Sequence, residues 1–224
     1  MASVIDGWRT ALRNRMFRNQ LFLSFAALLI LIFLLRVFLE YAEARIGTAV
    51  RDPLLQFLPT LDVTLITYSL IYSGLLLGVV SVCLSPYTFI LAVRALAVMA
   101  LLRIVCLYLL PLDPPAGALP LADPIIPWPF FSPPLTRDLF FSGYGGLMAL
   151  FALTVRWRDM KIIFWGACCA ISLLLLLQHA HYTIDVVAAP CFAYVAYGAA
   201  QWGSIKEAIV MAGISHSGRA IPPR

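Results

Sequence analysis

The chain has 224 residues, of which 62% are hydrophobic and only 12% charged. Soluble domains carry about 25% charged residues, so these charges cannot cover a water-facing surface and much of the exterior must face lipid. The net charge of +5 therefore points to no nucleic acid partner; in a membrane protein the placement of Lys and Arg sets orientation.

The first segment, residues 1–20, is basic. Arg9, Arg13, Arg15 and Arg18 are interleaved with Trp8, Leu12, Met16 and Phe17, a pattern of an interfacial segment that either anchors topology or meets anionic lipid heads. A membrane-crossing helix needs about 20 apolar residues, and six stretches meet that need. They run from about Leu21 to Phe38, Val63 to Cys83, Tyr87 to Leu110, Leu139 to Val155, Ile162 to Leu177 and Ile184 to Trp202. The first is longer than a signal-peptide core of about 7–15 residues, so it is read as a span. Pro190 predicts a kink in the sixth.

The expected fold is thus an all-α membrane protein with six transmembrane helices in one bundle, a single domain over 21–203, and a tail at 204–224. With six spans, the N-terminal segment, the connection carrying Arg156, Arg158 and Lys161, and the tail carrying Lys206, Arg219 and Arg224 share one side. That side holds ten Lys and Arg, against Arg45, Arg51 and Arg137 on the other, so both termini are expected to be cytoplasmic. The connection Pro111–Arg137 would then be extracytoplasmic. It holds nine prolines together with Trp128, Phe130 and Phe131, and is expected to form an ordered lid. The five cysteines all lie in apolar runs and read as buried small hydrophobes.

Polar residues cluster where the fifth stretch ends and the sixth begins, in Gln178-His179-Ala180-His181-Tyr182-Thr183-Ile184-Asp185. His181 and Asp185 are four apart and share a helical face. A carboxylate there holds one ring nitrogen and raises the basicity of the other, which suits a histidine for nucleophilic attack. His179 and His181 could instead bind a metal, but no third ligand is evident. A second cluster, Arg137-Asp138 through Ser142-Gly143-Tyr144-Gly145-Gly146, opens the fourth stretch on the same side. Its glycines allow close backbone approach, either to an anion or to a neighbouring helix. Arg103 lies about two turns from the outer end of the third stretch. Its planar fork suits a phosphate or a carboxylate, so it could bind substrate or pair with Asp138 or Asp185.

His181-Tyr182-Thr183-Ile184-Asp185-Val186 resembles the His-Tyr-Thr-x-Asp-Val signature of the sphingomyelin synthase-related branch of the type 2 phosphatidic acid phosphatase superfamily. Asp138-Leu139-Phe140-Phe141-Ser142-Gly143 is similar to that family's Asp-x-x-x-Ser-Gly-His-Thr element up to the glycine, and the stretch from Arg103 to Leu112-Asp113-Pro114-Pro115 to its third span and following loop. The resemblance implies a lipid head-group phosphotransferase or phosphatase that needs no metal or other cofactor. Its partners would be membrane lipids: a phospholipid, diacylglycerol or a ceramide-like acceptor. His181 would form a phospho-histidine supported by Asp185, with Arg103, Asp138, Ser142, Gly143, His179 and Tyr182 lining the substrate site.

The chain departs from the pattern at Tyr144-Gly145, where the family has His-Thr, and at Ala180, where some members are acidic. The family histidine protonates the leaving alkoxide; a tyrosine, with an ordinary pKa of about 10, is poorly matched to that task at neutral pH. Two readings follow: an enzyme using Tyr144 as proton donor, or a catalytically inactive lipid-binding homologue. A transporter is a third, but the inverted repeats common in transporters are not evident. The compact chain is expected in a bacterial plasma membrane rather than the endoplasmic reticulum or Golgi.

Overall fold

The computed structural model of the chain describes residues 2–123 and 135–217. Trp128, Phe130, Phe131 and the prolines between 124 and 134 lie outside the described residues, as do the side chain of Lys206 and both Arg219 and Arg224. Seven helices form: α1 (Ala2–Arg13), α2 (Arg15–Ala44), α3 (Thr64–Cys83), α4 (Pro86–Leu109), α5 (Gly143–Thr154), α6 (Arg158–Leu177) and α7 (Thr183–Ser217). Local chemistry sets their starts. Asn14 separates α1 from α2 because its side-chain oxygen accepts from the Met16 and Phe17 amides at 2.9 and 3.4 Å, an N-cap. Ser85 caps α4 with Pro86 in its first turn, where the missing amide costs nothing. α7 is continuous through Pro190.

Five helices, α2, α3, α4, α6 and α7, are long and apolar enough to cross a membrane, so the chain is a multi-pass membrane protein by helix length and composition. The fourth expected span differs. α5 has only 12 residues, or about 18 Å at 1.5 Å per residue, against a hydrocarbon core of about 30 Å. Its helix starts at Gly143, not Leu139, because residues 139–142 are drawn into contacts with α4 and α7. α5 need not match the bilayer, since protein surrounds it: Met148, Ala149 and Leu150 are fully buried.

Lipid tails are as apolar as leucine, so close packing rather than water exclusion holds such a bundle together. α3 meets α5 through two glycines one turn apart. A methyl group at Gly74 would lie 2.7 Å from the Met148 sulfur, and one at Gly78 would lie 2.4 Å from the Phe151 ring. α7 crosses α5 and α4 on small residues, with Ala189, Ala193 and Ala196 fully buried. α2 packs on α4 and turns most of its apolar surface outward, including Phe22, Leu23 and Phe33.

The helices alternate in direction. The ends of α2, α4 and α6 meet the starts of α3, α5 and α7 at one pole of the bundle. There Thr48 donates to the Pro111 carbonyl at 3.0 Å, Leu61 to Leu177 at 2.9 Å and Ser142 to Asp185 at 3.1 Å. The polar clusters found in the sequence occupy this pole. The opposite pole gathers α1, the α3–α4 turn and the α5–α6 connection.

Candidate functional site

α7 begins at Thr183, which puts His181 in the turn before it and Asp185 in its first turn. Asp185 is fully buried and His181 is 6% exposed. One carboxylate oxygen, Oδ2, accepts the Tyr182 amide at 3.0 Å and faces the His181 Nδ1 at 3.3 Å. Proton on Nδ1 is the tautomer this carboxylate favours, which leaves the Nε2 lone pair free. Among the described residues Asp185 Oδ1 is buried without a hydrogen-bond partner.

The second cluster is joined to the first through backbone. Ser142 donates its amide to the Asp185 carbonyl and caps α5 with its hydroxyl, which accepts from the Gly145 amide at 3.3 Å. The first turn that follows, Gly143 and Tyr144, carries amides with no helical acceptor. Arg103 reaches this segment from α4. It pairs with the Asp138 carboxylate and donates to the Phe141 carbonyl. Gly143 makes room for it, since a methyl group there would sit 3.1 Å from a guanidinium nitrogen. Of the two roles open to Arg103, pairing with Asp138 is the one present. Tyr144 is half-buried, with its ring edge-on to Tyr68 at 6.1 Å; Tyr68 stacks on Tyr72 at 6.0 Å, and Tyr72 donates to the Asp123 carboxylate at 2.7–2.8 Å.

His179 and Tyr182 are engaged elsewhere. His179, with a positive φ of 53°, presents its ring nitrogens to the carbonyls of Ala116 at 3.2 Å and Leu58 at 3.3 Å. The Tyr182 hydroxyl donates to the Asp113 carbonyl at 2.9 Å and accepts from the Val50 amide at 3.2 Å. Both tie the loops 45–63 and 111–123 down over the start of α7.

Other residues in this network carry no motif. Asp52 accepts from the Thr183 amide at 2.6 Å and hydroxyl at 3.0 Å, supplying α7 with the cap its own sequence lacks. Burial pushes the Asp52 carboxyl up, but the Thr183, Leu55 and Leu54 hydrogen bonds outweigh it and hold the group below the ordinary carboxylate value. Arg137 donates to Asp113 at 2.8 Å and to the Glu43 carbonyl at 2.6 Å. The Arg137 hydrogen bond, opposed by burial and helped by the Gly47 amide, likewise lowers the Asp113 carboxyl. Gly47 permits the crossing, because a methyl group there would lie 2.5 Å from the Leu112 backbone. The only sequence signals for these residues are an acid beside a proline at Asp52-Pro53 and an Arg-Asp pair at 137–138.

His181, Asp185, Ser142, Gly143, Asp138 and Arg103 thus form one contiguous assembly at this pole. Among the described residues no group of three His, Cys, Asp or Glu side chains is placed to hold a metal ion. None of the protein-family models, curated proteins or solved structures compared with this chain matches it.

Proposed function

We propose that this chain is a membrane-embedded lipid phosphotransferase- or phosphatase-like protein, acting on a phospholipid or sphingolipid head group at the extracytoplasmic face. The observation that carries the reading is the bond from the Ser142 amide to the Asp185 carbonyl, which joins the His181–Asp185 pair to the Ser142-Gly143-Tyr144 helix start. In this reading the chain crosses the membrane six times, with α5 as a short, protein-enclosed crossing and both termini cytoplasmic. The family is the one its motifs resemble, the sphingomyelin synthase-related phosphatases.

His181 Nε2 attacks phosphorus while Asp185 holds the Nδ1 proton and stabilises the cation that develops on the ring. An N–P bond forms and the ester O–P bond breaks. The leaving alkoxide takes a proton from the Tyr144 hydroxyl. Water or a lipid alcohol then attacks the phospho-histidine, giving its proton back to Tyr144 and restoring His181. The free first-turn amides of α5 would meet the phosphoryl oxygens. Arg103, held by Asp138 and Phe141, positions that turn.

One observation favours a second reading, a catalytically inactive lipid-binding homologue: the aromatic contact that packs Tyr144 against Tyr68, at the place where the phosphoryl chemistry needs an acid. Replacing a general acid by a poor one costs about 10²–10⁴-fold in rate. The test is turnover of labelled phospholipids by detergent-purified protein, with His181→Ala and Tyr144→His alongside. Turnover in the native chain that disappears in His181→Ala supports the enzyme. Turnover only in Tyr144→His supports the inactive homologue. No turnover in any of the three removes the phosphotransfer reading.

A further inference from the structure

At the pole opposite His181, α1 lies against the bundle with only half of its apolar stripe covered. The indole nitrogen of Trp8 donates to the Cys83 carbonyl at 2.8 Å, and its ring meets Phe89 edge-on at 5.6 Å. Ala11 and Phe17 are buried against Ile90. These contacts fix the rotation of α1 about its axis. At 100° per residue, Ile5 and Leu12 lie at the edge of the same stripe, next to Trp8, and they are 53% and 41% exposed. Beyond that edge come Arg9 and Arg13, both exposed, and Arg15 and Arg18 follow, also exposed.

An apolar strip bordered by arginines, fixed at the end of a bundle of apolar helices, has the arrangement of a helix lying in the headgroup plane. Among the described residues this charge has little protein counterpart. Among the described residues the acid near these arginines is Asp6, 3.8 Å from Arg9 in a fully solvent-facing pair, worth little in water. Among the described residues Arg13 and Arg15 are exposed and form no ion pair, and Arg18 donates to the Leu12 carbonyl at 3.2 Å. At the same pole Arg156, Arg158 and Lys161 are exposed beside Trp157, continuing the basic rim. At the other pole Arg137 is engaged by Asp113 and Glu43 and Arg45 by the Tyr108 carbonyl and the rings of Tyr41 and Tyr108, while Arg51 is exposed.

We infer that α1 is a docking surface for anionic phospholipid headgroups, with Ile5 and Leu12 in the acyl boundary and Arg9, Arg13 and Arg15 on the phosphates. This does not depend on the chemistry at His181. Each arginine near an anionic surface contributes about 1 kcal/mol, or about fivefold in the opening equilibrium of the helix. The test is amide hydrogen exchange of the full chain in nanodiscs of phosphatidylcholine alone or with one part in three phosphatidylglycerol. Peptides from residues 2–18 should exchange at least about fivefold more slowly in the anionic discs, and molar salt should erase the difference by screening. Arg9→Gln, Arg13→Gln and Arg15→Gln together should erase it too, leaving α4 unchanged. Ile5→Ser with Leu12→Ser should speed exchange of α1 in both discs. Equal exchange of the native chain in the two lipids overturns the inference, as does a difference that survives loss of the arginines or an apolar pair whose replacement changes nothing.

Discussion

Asp52 receives four hydrogen bonds, from the Thr183 amide and hydroxyl and from the Leu54 and Leu55 amides. All four favour the charged carboxylate, so its folded-state carboxyl is lowered. A lowered carboxyl contributes stability at pH above its ordinary value, and that contribution is lost as pH falls through the folded value. Acidification below about pH 4 should therefore loosen the start of α7, together with the Asp113–Arg137 contact, whose carboxyl is also lowered. Asp52→Ala removes the cap and should cost about 1 kcal/mol, with a flatter acid limb than the native chain, as read by thermal unfolding in detergent across pH. A native acid limb as flat as the variant's would show that the cap does nothing. His181 and Asp185 could be paired from sequence because a separation of four residues keeps them adjacent, although His181 sits in the turn before α7 and not on its face. Asp52 could not, since its partner is 131 residues away and no periodicity links a loop acid to a distant helix start. The surroundings of His179 were not legible either: its ring faces the Ala116 and Leu58 carbonyls of two distant loops.

Hydropathy located the long helices to within a few residues at most ends, because an apolar run stops where polar groups must meet water. It could not show that α5 is short, since a buried helix and a lipid-facing one are equally apolar in composition. The spacing Gly74-x-x-x-Gly78 carried the missing information. Small residues at that interval let two helices approach closely, and α3 uses both, against Met148 and Phe151. Gly78→Leu should therefore be damaging. Even its Cβ would overlap the Phe151 ring, and overpacking of this kind costs about 1–3 kcal/mol. Gly198→Ala, with nothing within 4 Å of the added methyl, provides the contrast and should be neutral in the same thermal assay. Gly78→Leu combined with Phe151→Ala should recover part of the loss. If the double variant is no better than the sum of the two singles, the glycine is not serving the α3–α5 contact.

At the scale of the molecule the two poles differ in how their charges are used, and this is what orientation must follow. The α1 pole leaves Arg9, Arg13, Arg156, Arg158 and Lys161 exposed. The site pole binds Arg137, Asp113 and Asp52 into the straps that cover α7. The sequence count of basic residues already separated these poles; the straps were invisible to it, because they join loops through single hydrogen bonds. Positive charge stays on the cytoplasmic side, so the His181 pole is expected outside. Impermeant maleimide labelling of cells tests this in a Cys169→Ser, Cys191→Ser background, which removes the two exposed thiols. Phe57→Cys, at a loop position 84% exposed in the native chain, should label on intact cells. Arg158→Cys should label only after lysis, because α5 carries the chain back across between them. Labelling of Arg158→Cys on intact cells would mean that α5 enters the bundle without crossing, leaving five crossings and sending α6 and α7 the wrong way to share a pole with the end of α2. The backbone bonds from Thr48 to Pro111, Leu61 to Leu177 and Ser142 to Asp185 require that shared pole, so the expected outcome is label at Phe57→Cys alone.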